Sequence, residues 1–346
     1  MESKAVKSCP ECGEHVEQSG AISRRELFRA AGGAAAAASA LAVGGAIWEP
    51  KAYAMPRIPS PTPAAAPESV VKTLFNSLNE KQRAAVVMPW SHEKRMMVNA
   101  NWEIVKPTIG DTFNTDQQDM IRAIFKGVTN EEWYPKFMEQ MKNDGGGLQN
   151  YHVALFNDQK TGKTEWVLTG RHATIRCGGD PADNMAFGGP IFYGHAPKDT
   201  EDAAHPGNVF WYQAKAANEV YAMLDGKQRE KALIAVAPDE SAVQFRRAGQ
   251  PIPGVAVGSL SHDQKAHVEK VMKDVLAPYR KSDVEDVLRD VKENGGLDAM
   301  HLAFYKQEDL GNDGVWDIWR MEGPAFVWHF RGAPHVHTWV NIAKKA

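Results

Sequence analysis

The chain has 346 residues, with 40 Lys+Arg against 43 Asp+Glu and a formal net charge of −3. Hydrophobic residues make up 43% and charged residues 24%, which are globular proportions and exclude a wholly disordered or fibrous chain. The near-neutral balance excludes a nucleic-acid binder resting on a basic surplus, and three cysteines are too few for a disulfide framework.

The N-terminus reads as an address. Ser23-Arg24-Arg25-Glu26-Leu27-Phe28-Arg29 is a twin-arginine pattern. A weakly apolar run rich in Ala and Gly follows over residues 30–48, and Ala52-Tyr53-Ala54 then offers a small-residue cleavage site. Charged, apolar and small-residue regions stand in the order of an export signal. Residues 1–54 are therefore expected to be a signal peptide, handed to the twin-arginine export machinery and removed. The product would be periplasmic or secreted, with no stable membrane span. The run is just long enough to cross a bilayer, but its Gly and Ala content and the cleavage site favour a removed leader. Cys9-Pro10-Glu11-Cys12 with His15 resembles half a zinc knuckle, lacks a fourth ligand, and falls inside that leader. Pro56, Pro59, Pro61, Pro63 and Pro67 make residues 55–67 an extended linker.

Four segments then share an apolar residue, a capping residue, two others and Gln: Leu78-Asn79-Glu80-Lys81-Gln82, Phe113-Asn114-Thr115-Asp116-Gln117, Leu224-Asp225-Gly226-Lys227-Gln228 and Leu260-Ser261-His262-Asp263-Gln264. Each reads as a helix start closed by a capping box. The first two caps are 35 residues apart and the last two 36. A β-rich stretch follows each pair, at residues 151–169 and 300–319, with a turn at Thr161-Gly162-Lys163 in the first and Gly311-Asn312-Asp313-Gly314 in the second. His152 matches His301, and Trp166 matches Trp316. The fold expected for residues 68–346 is one α+β domain of two sequence-related halves, about 68–212 and 213–346. Each half is a helical pair followed by antiparallel strands, joined in one sheet or two facing sheets. Alternating βαβ units and a Gly-rich phosphate loop are missing from the pattern, and Gly145-Gly146-Gly147 reads as a helix stop.

The densest chemical signal lies in residues 316–340, where Glu322, His329, His335 and His337 are interleaved with Trp316, Trp319, Trp328 and Trp339. In a strand, residues two apart share a face, so His335 and His337 point together. Paired imidazoles suit zinc, copper or iron. Whether His329 joins them depends on the length of the preceding turn. His172 lies six residues after Trp166, and Glu322 lies six after Trp316. A pseudo-two-fold relation of the halves would bring these two metal-capable side chains together. His195 follows a Gly-rich turn and is a candidate for the mouth of the site. Cys177 is either a nucleophile or soft ligand or a packed core residue. The tryptophans either fill the core or line the site. His92, His205, His262 and His267 stand in polar or helical contexts. His152 and His301 alternate with apolar neighbours and are expected to be buried.

Gly170-Arg171-His172, Gly189-Pro190, Glu322-Gly323-Pro324, His335-Val336-His337-Thr338 and the repeated cap-x-x-Gln helix starts resemble domain-of-unknown-function family 3500, over most of residues 68–341. The resemblance implies an exported bacterial protein without an assigned activity, and it marks these motifs as the suspect residues. The chain departs from the family pattern in three places. Arg171 stands where the family has His, Glu322 where it has His before Gly-Pro, and His329 where it has Glu. The last two read as an exchange of His and carboxylate within one site.

The function that follows is an exported metal-dependent oxidoreductase using copper or iron. His172, His335 and His337 would be ligands, joined by Glu322 or His329, with His195 nearby. With zinc, hydrolysis becomes the natural reaction and Glu322 its general base. The alternatives are a non-enzymatic metal- or ligand-binding protein and a structural protein whose histidines bind nothing.

Overall fold

The computed structural model describes residues 66–178, 186–195, 210–246, 249–307, 309, 315–332 and 335–344. The expected leader, the Cys9/Cys12 pair, His205, the turn at 311–314 and nearly all of the expected linker lie outside them. The last linker residue, Pro67, instead opens a helix at a position where its missing N–H is not needed.

Among the described residues there are nine α-helices: α1 (Pro67–Ser77), α2 (Glu80–Val86), α3 (Ile109–Thr112), α4 (Thr115–Val128), α5 (Tyr134–Gly145), α6 (Trp211–Met223), α7 (Gly226–Ala232), α8 (His262–Leu276) and α9 (Lys281–Glu293). All four cap-x-x-Gln segments start helices. Asn79, Asn114, Asp225 and Ser261 cap α2, α4, α7 and α8. In each, the cap side chain accepts from the Gln amide and the Gln side chain accepts from the cap amide. The glutamines also meet in pairs: Gln82 Nε2 donates to Gln117 Oε1 at 2.7 Å, and Gln264 Nε2 to Gln228 Oε1 at 2.9 Å. Each pair ties two helix starts together.

The strands are β1 (Val87–Pro89), β2 (His152–Asn157), β3 (Thr164–Gly170), β4 (Ala173–Gly178), β5 (Ile191–His195), β6 (Leu233–Ile234), β7 (Val255–Ala256), β8 (His301–Tyr305), β9 (Ile318–Gly323), β10 (Phe326–Arg331) and β11 (Val336–Ile342). They form one sheet rather than two, in the order β1-β2-β3-β4-β5-β11-β10-β9-β8-β6, with β7 on β8. The middle strands are antiparallel, and the short edge strands β1 and β6 run parallel to β2 and β8. Trp166 lies opposite Leu155, while Trp319, not Trp316, lies opposite Phe304. Trp316 precedes β9, so Trp166 and Trp316 do not hold matching positions in the sheet.

Alternation gives the sheet two unlike faces. One face carries Trp166, Ile175, Tyr193, Val340, Trp328, Trp319 and Phe304 into the main core, together with Val71, Phe125, Ala217 and Val271 of the helices. The Tyr193 hydroxyl donates to the carbonyl of Val275 on α8 at 2.9 Å, locking helix to sheet. The other face is covered by chain segments rather than by long helices. Phe192, Val327 and Trp339 pack there with Ala100 and Val243, and Ala303, Tyr305 and Ile318 form a smaller cluster. This second face is rich in buried charge. Glu165 binds both Arg95 and Arg176, at 2.9 and 2.8 Å, which fastens the segment around Arg95 to the sheet. Among the described residues no helix is long and apolar enough to cross a membrane.

Candidate metal centre

The site stands on this second face, where β11 meets β5 at the centre of the sheet. His337 is the second residue of β11 and His335 immediately precedes the strand, so both imidazoles project to the same side. His335 Nε2 and His337 Nε2 are 3.1 Å apart. The residue opposite His337 is Gly194 on β5. A Cβ at Gly194 would lie 2.5 Å from the Val336 carbonyl oxygen and 3.2 Å from the His172 ring. Glycine there leaves room for the imidazoles to gather.

The third imidazole arrives from the two-residue turn between β3 and β4, closed by the Gly170–Ala173 pair. His172 takes a φ of 58°, a left-handed conformation that a non-glycine residue adopts only when its surroundings impose it. Its amide donates to the Ala100 carbonyl at 2.7 Å, and its carbonyl accepts from the Gly194 amide at 3.3 Å. Gly170, just before, packs flat against Tyr151, where a side chain would collide with the ring. The strained turn thus aims His172 at β11. Its ring centroid is 5.0 Å from that of His335 and 5.3 Å from that of His337.

One ligand nitrogen from each of His172, His335 and His337 falls within a 4.8 Å spread, and all three residues are buried. A tetrahedral ion with metal–nitrogen bonds of about 2.0–2.1 Å needs ligand nitrogens roughly 3.3 Å apart. The 3.1 Å His335–His337 separation is close to that value, whereas the 4.8 Å spread of the three exceeds it by about 1.5 Å, so the His172 ring must close in on the pair to complete the set. Without a cation, one of these two facing nitrogens must carry a proton; with one, both lone pairs point at it.

Two carboxylates set the ring orientations. Asp144, in the last turn of α5, places Oδ2 2.8 Å from His172 Nδ1, with both side chains buried. Glu240 places Oε2 2.7 Å from His337 Nδ1, while Trp339 Nε1 donates to the same oxygen at 3.3 Å and Arg331 binds the other. A carboxylate accepting from Nδ1–H leaves Nε2 as a bare lone pair, the arrangement found behind metal-ligating histidines. Arg331 Nη2 is also 2.7 Å from His337 Nδ1. That nitrogen either donates to Glu240 or accepts from Arg331, and donation to Glu240 frees Nε2 for a metal. Burial drives the His172 pKa down to about 4, against the opposing pull of Asp144. Burial and then Arg331 hold His337 well below the ordinary range. Both rings are neutral and ready to ligate at neutral pH.

The other expected residues stand elsewhere. The joint between β10 and β11 pairs Arg331 with His337, so His329 shares the face of His337 but lies opposite Trp339, one step along. His195 lies opposite Val336 and points to the other face of the sheet. Glu322 does not meet His172. It sits in β9, two strands from β11, with Oε2 held by Arg246 Nε at 3.0 Å and Nη2 at 2.9 Å and Oε1 3.4 Å from Arg320. The carboxylates beside the imidazoles are instead Asp144 and Glu240. Neither carries a motif, since one is the polar end of a helix and the other lies in a loop. Cys177 is buried in the main core and its thiol is pushed up by burial, which fits packing rather than reactivity. Trp319 and Trp328 are core residues, and Trp316 packs edge-on against Tyr221. Trp339 alone of the four touches the site. His152 is buried, with Nδ1 3.1 Å from the Pro107 carbonyl oxygen.

A family model described as "Protein of unknown function (DUF3500)" matches residues 61–344. No curated protein and no solved structure matches the chain.

Proposed function

The chain belongs to that family of proteins of unknown function, and on that premise we propose that it is an exported copper-dependent oxidoreductase built on His172, His335 and His337. The observation that carries this reading is the convergence of three buried imidazoles, two of them backed by carboxylates at Nδ1. The choice of copper follows from the donor set. All three donors are neutral nitrogens, and copper(II) binds such sites most tightly among the divalent first-row ions. Glu322, the expected carboxylate ligand or, with zinc, general base, has its carboxylate taken up by Arg246 and Arg320, which weakens the mixed His/carboxylate iron set and the zinc-hydrolase reading. A bound copper ion would supply one-electron redox chemistry. Asp144 and Glu240 hold the tautomers, Phe192 and Trp339 pack against His337 and keep water from it, and three protein ligands leave a position for a substrate.

A second reading, metal binding without turnover, is favoured by the burial of all three histidines. Azide separates the two: it shifts the visible spectrum of an open copper site and leaves a closed one unchanged.

The export route is part of the same proposal. Twin-arginine export carries folded proteins, so the ion would be inserted before translocation and residues 1–54 then removed. Replacing Arg24 and Arg25 by Lys should keep the protein in the cytoplasm. We also infer that the domain arose by duplication. Support comes from the mirrored strand order on either side of the β5–β11 joint and from the paired Gln bridges. A further support is the antiparallel bridge between Thr129 and Tyr279, flanked by reciprocal bonds from Asn130 to Pro278 and from Arg280 to Val128.

The test is elemental analysis of untagged protein purified without chelator. Near-stoichiometric copper, lost in the His335→Ala/His337→Ala double variant, supports the reading. Metal-free protein that takes up no ion on reconstitution overturns it.

A further inference from the structure

Beside the imidazole triad, the same sheet face holds a second cluster that the metal reading leaves unused. His329 on β10 lies opposite Arg320 on β9 and Trp339 on β11. Its side chain has no exposure, and neither ring nitrogen has a hydrogen-bond partner among the described residues. Buried polar groups are nearly always bonded, so an imidazole with both nitrogens idle marks a place built for something else. Arg320 is buried as well, at 3% exposure. Its two terminal nitrogens reach Glu322 and the Ala242 carbonyl, while Nε has no partner among the described residues.

Two buried ion pairs stand on this patch, Arg320 with Glu322 and Arg331 with Glu240, and Arg246, its side chain 31% exposed, holds Glu322 from the surface side. His329 adds no negative charge: burial first, then Arg320 and Arg331, hold it neutral. Arg320 Nε–H and an imidazole N–H are buried donors without an acceptor among the described residues, and an oxyanion accepts from both. The segment carrying Ala242 and Val243 closes over the patch, through Arg320 and through Asn341 Nδ2, which donates to the Val243 carbonyl at 2.8 Å.

We propose that His329 and Arg320 form a buried binding site for a small oxyanion of the bicarbonate, phosphate, nitrate or short-carboxylate class. Arg320 Nε–H and one His329 N–H donate to it. The site needs no metal to exist. Its position relative to the triad is nonetheless close, because His329 and His337 are diagonal neighbours on adjacent strands, about 7–8 Å apart at Cα.

Two measurements on the purified protein test this, each with metal-free and metal-loaded samples. In the first, Tm is followed in sodium bicarbonate, phosphate, nitrate or formate against chloride at constant ionic strength. At least one oxyanion should give a saturable rise on the order of 3 °C, lost in His329→Leu and in Arg320→Met. Equal Tm in all salts, or a rise that survives both substitutions, overturns the proposal. In the second, crystals of the wild-type protein are grown with selenate. Anomalous density within hydrogen-bond distance of both His329 and Arg320 Nε is expected, whereas an ordered water alone at that position overturns the site even if the variants fail to fold. Persistence of the oxyanion effect in metal-free protein separates this site from the fate of the copper reading.

Discussion

His172 Nδ1 lies 2.8 Å from Asp144 Oδ2 across 28 residues of chain, with both side chains buried. The contact joins the end of α5 to a strained turn of the sheet, and it fixes which nitrogen of His172 faces His335 and His337. Asp144→Asn keeps the shape but no longer draws the proton to Nδ1. Metal affinity should fall about 10–100-fold, as is typical of losing a partner behind a ligating histidine. Competition titration with a chelator reads this directly, and unchanged affinity would mean that Asp144 plays no part in holding the ligand.

Glu322 separates the site from its surroundings. If the triad is the metal centre, Glu322→Gln should leave metal content unchanged. It should still destabilise the fold by about 3 kcal/mol, because Arg320 loses its charged partner in a buried place. Denaturant unfolding and elemental analysis of the same sample measure the two effects. Loss of metal with normal stability would return Glu322 to the ligand set.

The depressed pKa of His172 makes the metal-free protein acid-sensitive. The folded value is about 4 and the ordinary value 6.5, with burial the main cause. Between these values the unfolded chain binds the proton and the folded one does not. Stability is therefore complete above about pH 6.5 and falls as pH drops towards 4, by on the order of 3 kcal/mol from this residue. His337 is shifted in the same direction and adds to the effect. Urea unfolding of metal-free protein should show this slope, and His172→Asn should flatten it. A stability independent of pH over that window would contradict the burial assigned to these rings.

Local rules were legible in the sequence and long-range ones were not. All four cap-x-x-Gln helix starts formed because a capping box is closed within four residues. The shared face of His335 and His337 followed from strand alternation alone. His172 was marked by its place after Trp166, and it does reach the pair. Its expected mate Glu322 does not, because Trp166 lies inside β3 while Trp316 stands before β9, so counting six residues on from each does not reach like positions. Six residues on from Trp166 the chain is in the β3–β4 turn, whereas six on from Trp316 it is still inside β9. Asp144 and Glu240 were invisible because their partners lie 28 and 97 residues away and neither sits in a periodic pattern.

The proposed function stands or falls on one ion held between three imidazoles. The most direct measurement is X-ray diffraction from crystals of the natively purified protein, collected on both sides of the copper absorption edge. One anomalous peak is expected, strong above the edge and lost below it, within about 2.0–2.1 Å of the Nε2 atoms of His172, His335 and His337. A map with no peak there after reconstitution with copper, or a peak centred on other residues, would contradict it.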